Sequence, residues 1–373
     1  MDLSDLPIVD GHCHPFLADP SALTADALLD QLSEGRPGTM RTHVPHTGYF
    51  RRVVGELARR LGCAPTLDAV LAARQAAGPA LGRTMLGEAR IEALLVDSGY
   101  PATAMPLDTM RVSVPCAIHE VFRIERCAER LLTHGLSYEK FVRAFEDELT
   151  AAAARCVSFK TIVAYRSGLA ITPWPESAVF AAYASAAGRA AQGPPRLTEK
   201  PLLDTLVLRT LAIARRTGRP IQVHTGFGDP DIDLPHANPT LLRPILEGAE
   251  GRDVTLVLLH MAYPYVREAA FMTAVWPQVH LDLSLALPFL GGASAAPLAE
   301  ILALAPASKL MYGSDVGALP ELFALTAGWG RAALGEALDA FVARGELDAA
   351  GARAVAAMIL ADNARALYRL PAR

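Results

Sequence analysis

The sequence predicts an α/β protein, a (β/α)8 TIM barrel with a helical insertion after its first strand. The chain has 373 residues, within the range of about 200 to over 400 that such barrels cover. Eight short apolar runs alternate with segments of helical period, which is typical of parallel strands joined by helices. The interval between the first two runs is far longer than one connecting helix needs, and this indicates the insertion.

The eight apolar runs predict the strands. They are Ile8–Val9, Ile91–Val96, Cys116–Ile124, Cys156–Tyr165, Ile221–His224, Val254–His260, Val279–Leu283 and Leu310–Tyr312. Segments of helical period, such as Leu202–Arg216 and Pro264–Val275, lie between most of them. Such alternation favours one barrel domain over residues 1–373, with no linker that divides the chain.

Residues from about 16 to 90 form the insertion. They follow the carboxyl end of the first strand, and active sites of (β/α)8 barrels lie at the carboxyl ends of the strands. We therefore expect a mostly helical cap over that mouth of the barrel. A second, smaller excursion rich in Ala, Gly and Pro is expected at Gly168–Pro195.

The composition excludes several classes of protein. Hydrophobic residues make up 51% and charged residues 20%, which excludes a disordered chain. A net charge of −4 without a basic block argues against nucleic acid as a partner. The cysteines are odd in number and form no CxxC pair, which favours a reducing, cytoplasmic location over a disulfide framework. They are Cys13, Cys63, Cys116, Cys127 and Cys156.

One apolar stretch, Leu283–Ala307, has the length of a membrane span. It contains Pro288, Gly291 and Pro297, a composition that argues against a span and for a loop and a buried helix. We therefore expect no membrane partner. A small molecule is the expected partner, and a homo-oligomer stays open.

Two histidines close the first strand, in the run Asp10-Gly11-His12-Cys13-His14. On a strand, residues two apart face the same side, so His12 and His14 would share a face and Cys13 would point away. Two imidazoles on one face can bind one divalent metal. Two ordinary surface or core histidines are the alternative.

Four further candidate ligands lie on later strands, close to their carboxyl ends. They are Lys160, His224, His260 and Asp315. Each has an ordinary structural alternative: the histidines could be core residues and Asp315 could cap the next helix. The coincidence of all four at this edge of successive strands favours a metal site.

These motifs resemble the amidohydrolase superfamily, and within it the amidohydrolase-2 branch that includes the N-terminal domain of nodulin/glutamine-synthetase-like fusion proteins. The stretches that carry the resemblance are Val9–His14, Ser158–Leu169, Val223–Gly226, Leu259–His260 and Tyr312–Asp315. The segment Tyr49–Cys63 and the ending Ile359–Tyr368 support it.

The resemblance implies a metal centre of one or two divalent ions. His12, His14 and Asp315 would bind the more buried ion, and His224 and His260 a second one. Lys160 would bridge them as a carbamate, since burial favours the neutral amine that captures carbon dioxide. Zinc is the metal we expect first, and manganese, iron and nickel suit the same ligands.

The resemblance also implies a hydrolase acting on a C–N bond of the amide type. Water activated by the metal would be the nucleophile, and Asp315 would shuttle its proton to the leaving group. Because arginine binds carboxylates well, we expect a small carboxylate-bearing substrate. The candidate substrate-binding residues are Arg166, Tyr165, His43, His46, Tyr49 and Arg52.

Two alternatives stay open at this point. One is a metal-dependent decarboxylase of a small aromatic or unsaturated acid, which related barrels achieve with one metal. The other is a non-catalytic metal-binding protein on the same scaffold, since a fold does not specify a function. Lys160 as a bridging ligand favours the two-metal hydrolase over the first, and Asp315 as a proton shuttle argues against the second.

Overall fold

The computed structural model describes residues 1–101, 104–190, 193 and 195–371. Within them, eight strands lie in one sheet in the order β1 to β8. Their bounds are β1 Ile8–Cys13, β2 Ile91–Asp97, β3 Ala117–Arg123, β4 Ser158–Thr161, β5 Ile221–Val223, β6 Leu256–Leu258, β7 Val279–Asp282 and β8 Leu310–Met311. The pairs β1–β2 and β3 through β7 are parallel. The predicted (β/α)8 barrel is confirmed.

The strands alternate with helices, as the periodicity indicates. The helices are α1 Ala25–Gln31, α2 Gly48–Leu61, α3 Leu67–Ala77, α4 Ala80–Glu88, α5 Leu107–Ser113, α6 Ile124–Leu132, α7 Tyr138–Ala153, α8 Glu176–Ala190, α9 Lys200–Thr217, α10 Arg243–Glu247, α11 Val266–Val275, α12 Ala286–Leu290, α13 Ala295–Leu304, α14 Pro320–Ala343, α15 Ala349–Ala357 and α16 Asn363–Tyr368. α8 begins inside the predicted excursion at Gly168–Pro195, of which Ala191, Gln192 and Pro194 lie outside the described residues.

Several predicted strands are longer than the observed ones. The run Cys156–Tyr165 contains β4 but continues into a 3₁₀ turn at Val163–Tyr165. The run Val254–His260 likewise ends in a 3₁₀ turn that begins at His260. Val163, Ala164 and the three residues of the second turn are buried just as the strands are, so apolar character alone does not mark where a strand ends.

The contacts along the chain group it into two compact units. The first comprises Met1–His119, Gly228–Pro230 and Asp282–Ala366. Its core includes Phe16 and Phe323, whose rings pack edge to face. The second comprises Glu120–Phe227, Asp231–Leu281 and Leu367–Arg373. Its core is built on large buried side chains of α7 and β4, and Gln222 donates to the Tyr368 hydroxyl inside it.

The insertion between β1 and β2 contains α1 to α4. Threonines begin three of these helices, because the side chains of Thr24, Thr47 and Thr66 accept hydrogen bonds from the first-turn amides. Within the first unit, the start of the insertion bridges to segments that follow two strands, Phe16 to Ala318 and Leu17 to Ala104. α2 packs on α12, which follows β7.

Ala286–Leu304 is long and apolar enough, by length and composition, to cross a membrane. In the structure the stretch is not one continuous helix, because a 3₁₀ turn at Gly291–Ser294 separates α12 from α13. Leu287 and Leu298 are buried. The sequence predicted one helix and a loop here, and α12 is the element it missed.

Candidate metal centre

β1 positions the two histidines of the HxH motif on one side. Every residue of β1 is buried, and Cys13 points away to donate its thiol to the carbonyl of Leu95. The His12 and His14 rings lie 5.4 Å apart in an edge-to-face arrangement. The period-2 alternation therefore brings the two imidazoles together, as the sequence predicts.

Both imidazoles face one carboxylate oxygen. His12 Nε2 lies 3.0 Å from Asp315 Oδ1, and His14 Nε2 lies 3.3 Å from the same atom. Ligand atoms of one tetrahedral zinc, each about 2.0–2.1 Å from the ion, lie about 3.3 Å from one another. The donor atoms thus fit a shared divalent ion in both chemistry and spacing.

Asp97 at the end of β2 is a third neighbour of the histidines that sequence reasoning missed. A ligand atom of Asp97 lies within 4.8 Å of ligand atoms of His12 and His14, and the Asp97 carbonyl is 3.3 Å from His14 Nδ1. Its Oδ1 also accepts from the amide of Gly99, which is a common turn interaction. The available signal was an acidic residue at the carboxyl end of an apolar strand.

The backbone at Asp315 is held in an unusual conformation. Its φ is +58°, in the left-handed region that costs a non-glycine residue free energy unless its surroundings enforce it. The Asp315 amide donates to the His12 carbonyl, and the His14 amide donates to Val316. The loop after β8 is thereby tied directly to the HxH strand.

Asp10 holds the residue before Asp315. Its two oxygens accept from the amide and the hydroxyl of Ser314, at 2.9 and 2.6 Å. Burial raises the pKa of Asp10 to about 8, while the two bonds from Ser314 act in the opposite direction. Asp10 is thus a buried carboxyl group whose hydrogen bonds fix the loop that carries Asp315.

In the second unit, two further histidines meet. His224 Nδ1 lies 2.9 Å from His260 Nε2. His224 Nε2 lies 3.2 Å from the Phe227 carbonyl, and because a carbonyl only accepts, this contact fits a proton on Nε2. A backbone carbonyl that orients an imidazole in this way is typical of metal-binding histidines.

The segment that carries His260 is tightly constrained. His260, Met261 and Ala262 all have positive φ, at +69°, +53° and +49°. Opposite them, Gly226 has a φ of +74°, and a Cβ at that position would lie 2.3 Å from the Tyr263 carbonyl oxygen. Only glycine allows this approach, so Gly226 fixes the position of the loop that follows β6.

Lys160 is buried in β4, with only 1% of its surface exposed. In the sheet it pairs with Arg123 of β3 and Gln222 of β5. The next residue, Thr161, donates to the carboxylate of Glu125. Lys160 therefore occupies the interior strand position that the sequence assigns to it.

Tyr165 and Arg166 follow β4 directly. The Tyr165 ring centre lies 4.2 Å from that of His224. The Arg166 side chain is only 10% exposed and pairs with Glu129, Nη2 to Oε1, at 3.3 Å. Tyr165 therefore lies beside the histidine pair of the second unit, and Arg166, the next residue along the chain, pairs with Glu129.

The four candidates from the insertion have different surroundings. His43 and His46 are exposed. Tyr49 is buried against the rings of Phe289 and Trp329. Arg52 donates to the Pro288 carbonyl and lies over the Trp329 ring, so its guanidinium already has partners within the protein.

Glu34 is a residue of the insertion that the sequence did not single out. It is half-buried, and burial raises the pKa of its carboxyl group to about 8, with the negative charges of Asp315 and Asp229 adding to the shift. A single glutamate outside any motif gave the sequence analysis no reason to assign it to a site. Its interaction with Asp315 shows that part of the insertion lies within electrostatic range of the HxH–Asp315 group.

Comparison with known proteins identifies the family. The family model for amidohydrolases matches residues 125–370. The chain belongs to the amidohydrolase family. The resemblance to the amidohydrolase superfamily seen in the sequence motifs is thereby confirmed, and the matched range begins after the HxH strand.

This amidohydrolase also resembles individual proteins. It is 31% identical to the protein fluG of Emericella nidulans over 98% of the chain, which covers 46% of that relative. The chain thus spans about half the length of the curated relative that it matches. A structure from Lactobacillus casei, provisionally named a metal-dependent hydrolase, is 26% identical, with a TM-score of 0.88 over 98% of this chain and 96% of that one.

Uronate isomerase from Thermotoga maritima shares the fold at 13% identity, with a TM-score of 0.70 over 98% of this chain and 95% of that one. At this identity the likeness concerns the fold alone. Family membership and the Lactobacillus casei structure identify a metal-dependent enzyme of the amidohydrolase superfamily, whose members use one scaffold for different reactions.

Proposed function

We propose that this amidohydrolase hydrolyses a C–N bond of the amide type in a small carboxylate-bearing substrate. The observation that supports it most is the approach of His12 Nε2 and His14 Nε2 to the same Asp315 oxygen. Two imidazoles and a carboxylate that meet at one point form a ligand set for a divalent metal. Asp315 is then both a ligand and an acid–base group.

Six side chains make up the proposed ligand set. His12, His14 and Asp315 would hold one ion, and His224 and His260 would hold a second. Lys160 would bridge them as a carbamate, as the resemblance implies. The buried position of Lys160 supports this role. Convergence of all six side chains on one centre stays a prediction, with zinc as the first candidate metal.

The metal would supply a Lewis acid that polarises the scissile carbonyl and acidifies the attacking water. Asp315 accepts the proton of that water as its oxygen attacks the carbonyl carbon. Asp315 then donates the same proton to the nitrogen of the leaving group as the C–N bond breaks. Its backbone, tied to His12 through an amide hydrogen bond, keeps the carboxylate beside the histidines through both transfers.

We further propose that residues 16–90 form the cap over the active site. Support comes from contacts within the first unit, where α2 packs on the segment after β7 and Glu34 interacts with Asp315. A cap of this kind excludes water and selects the substrate. None of the five cysteines, all within the described residues, forms a disulfide, which supports a cytoplasmic location.

The proposal is tested with the purified chain. Metal content is measured by inductively coupled plasma mass spectrometry, and a panel of N-acyl amino acids and matched neutral amides is screened for amine release. We expect about one or two divalent ions per chain and amine release that a chelator abolishes and added metal restores. Loss of carbon dioxide from unsaturated acids without amide cleavage would overturn the hydrolase in favour of a decarboxylase.

A further inference from the structure

Arg166 is a buried cation with incomplete hydrogen bonding. Its side chain is only 10% exposed, and among the described residues its Nε and Nη1 atoms are buried without a hydrogen-bond partner. Buried guanidinium donors normally form hydrogen bonds, because a buried donor without an acceptor costs free energy. Two such donors on one side chain indicate a ligand that accepts hydrogen bonds.

The carboxylate of Glu129 is not available to Arg166 alone. Its Oε1 also accepts from the Leu197 amide at 3.1 Å, and its Oε2 accepts from Arg126 at 3.3 Å. One carboxylate is thus shared between two arginines and a backbone amide. Burial is the main reason that the pKa of Arg166 is lowered. The charges of Glu129 and Glu125 act to raise it, while those of Arg196 and Arg123 act to lower it.

The backbone that carries Arg166 is rigid. The amides of Arg166, Ser167 and Gly168 all donate to the Val163 carbonyl. Gly168 has a φ of +84° and lies against His236, where a Cβ would come within 3.0 Å of the His236 Cβ. A preorganised guanidinium loses little conformational entropy when it binds an anion.

Arg166 lies next in the chain to a residue that contacts a proposed metal ligand. Tyr165 precedes it, and the centre of the Tyr165 ring lies 4.2 Å from that of His224, one of the proposed metal ligands, with the two rings tilted by 48°. The other candidate cation from the predicted set, Arg52, already donates to the Pro288 carbonyl. Among the described residues, Arg52 leaves one buried nitrogen without a hydrogen-bond partner and Arg166 leaves two, so Arg166 is the cation of that set with more available donors.

We propose that Arg166 is the anion-binding subsite of this enzyme and that it binds a carboxylate of the substrate. Planar guanidinium and planar carboxylate groups match in charge and hydrogen-bond geometry. This inference rests on the proposed function for the identity of the substrate. The unpaired donors of Arg166 are observed independently of the reaction.

The first test separates a binding role from a structural one. Arg166→Met removes the cation but leaves Glu129 with Arg126 and the Leu197 amide. We expect its melting temperature without ligand to equal or exceed that of the wild type. The matched control is Arg331→Met, because Arg331 is also buried but donates to the Leu6 and Ala89 carbonyls, and this variant should melt at a lower temperature. A large fall for Arg166→Met would show that Arg166 is structural and overturn the proposal.

The second test measures binding on the metal-loaded protein. The probes are N-acetylglycine and N-acetylglycinamide, which differ only in the carboxylate, and calorimetry gives each affinity. We expect Arg166→Met to bind N-acetylglycine at least about tenfold more weakly, as loss of a charge-assisted hydrogen bond predicts, with Arg166→Lys in between. Affinity for the amide and metal content should not change.

The outcomes distinguish this inference from the proposed function. Unchanged affinity for N-acetylglycine in Arg166→Met, at full metal content, would show that the carboxylate binds elsewhere and overturn the subsite. Arg166-dependent binding of N-acetylglycine in a protein that releases no amine from any amide would support the subsite and contradict the proposed reaction instead.

Discussion

Asp10 and Ser314 form a two-point hydrogen bond, with the Ser314 amide and hydroxyl donating to separate oxygens of the Asp10 carboxyl group. The bond joins the residue before Asp315 to the strand that carries His12 and His14. It positions the three proposed ligands relative to one another without touching the substrate. Asp10 is thus a positioning residue, and its contribution is measurable.

Asp10→Asn should loosen this connection, because an amide has one acceptor oxygen in place of two. Partners of metal ligands typically contribute about 10–100-fold to metal affinity or activity, and we expect a loss of that order. Chelator competition measures the metal affinity. Asp339→Asn is the control, since Asp339 only pairs with the chain's amino terminus at the surface. Metal affinity equal to that of the wild type would contradict the positioning role.

Asp315→Asn tests the proton shuttle. The amide keeps the shape of the carboxylate and can offer an oxygen to a metal, but it cannot accept the proton of the attacking water. We expect turnover to fall by about 10²–10⁴-fold with the melting temperature nearly unchanged and a modest loss of metal. Turnover close to that of the wild type, with metal bound, would remove Asp315 from the mechanism.

Lys160→Ala tests the bridging ligand. It removes the proposed carbamate, so metal loss should exceed that of Asp315→Asn. A short carboxylic acid such as propionate is expected to restore part of the metal content and the activity by taking the vacated position. Mass spectrometry of the intact wild type under carbon dioxide provides a second measurement. Full metal content in Lys160→Ala would show that Lys160 is not a ligand.

Gly226→Ala tests the constraint on the His260 loop. A methyl group at this position meets the Tyr263 carbonyl oxygen at 2.3 Å, and the backbone φ of +74° is unfavourable for alanine. We expect a loss of at least roughly 1–3 kcal/mol of stability together with weaker metal binding. The control Gly188→Ala lies in α8, where an added Cβ meets nothing within 4 Å, and should gain about 0.5–1 kcal/mol. Chemical denaturation measures both.

Lys309 predicts the direction of a pH effect on stability. Partial burial lowers its pKa from 10.5 to about 8. Between these values the unfolded chain binds more protons than the folded one, so this lysine makes the folding free energy more favourable as pH rises from about 8 toward 10.5. Lys309→Gln should be more stable than the wild type at pH 7 and should flatten that rise. The control Lys140→Gln replaces an exposed lysine of α7 and should change neither the stability at pH 7 nor its rise with pH.

The sequence predicted the strands and the proposed ligands for a common physical reason. Strand periodicity and burial are local, so His12, His14 and Lys160 could be placed from the runs that contain them. Asp97 was missed because one carboxylate after an apolar run also fits a simple turn. Its approach to His14 depends on the pairing of β1 with β2, which is a contact distant along the chain.

The insertion shows the limit of such reasoning. In the sequence, four polar residues of the insertion looked equivalent: His43, His46, Tyr49 and Arg52. Their contacts with a substrate stay predictions. Their surroundings differ because helix packing buries Tyr49 and directs Arg52 to a main-chain carbonyl. Helical packing of this kind depends on α12 and α14, about 240 or more residues further along the chain.

The threonine caps of α1, α2 and α3 give the insertion its own starting signals. Each of these helices begins at a local hydrogen bond, and none of the three starts depends on a barrel strand. The insertion is anchored near its two ends, where Phe16 bridges to Ala318 and Arg90 accepts from the Ile8 amide. The helices of this segment therefore begin at signals of their own, while its two ends tie it to the strands on either side.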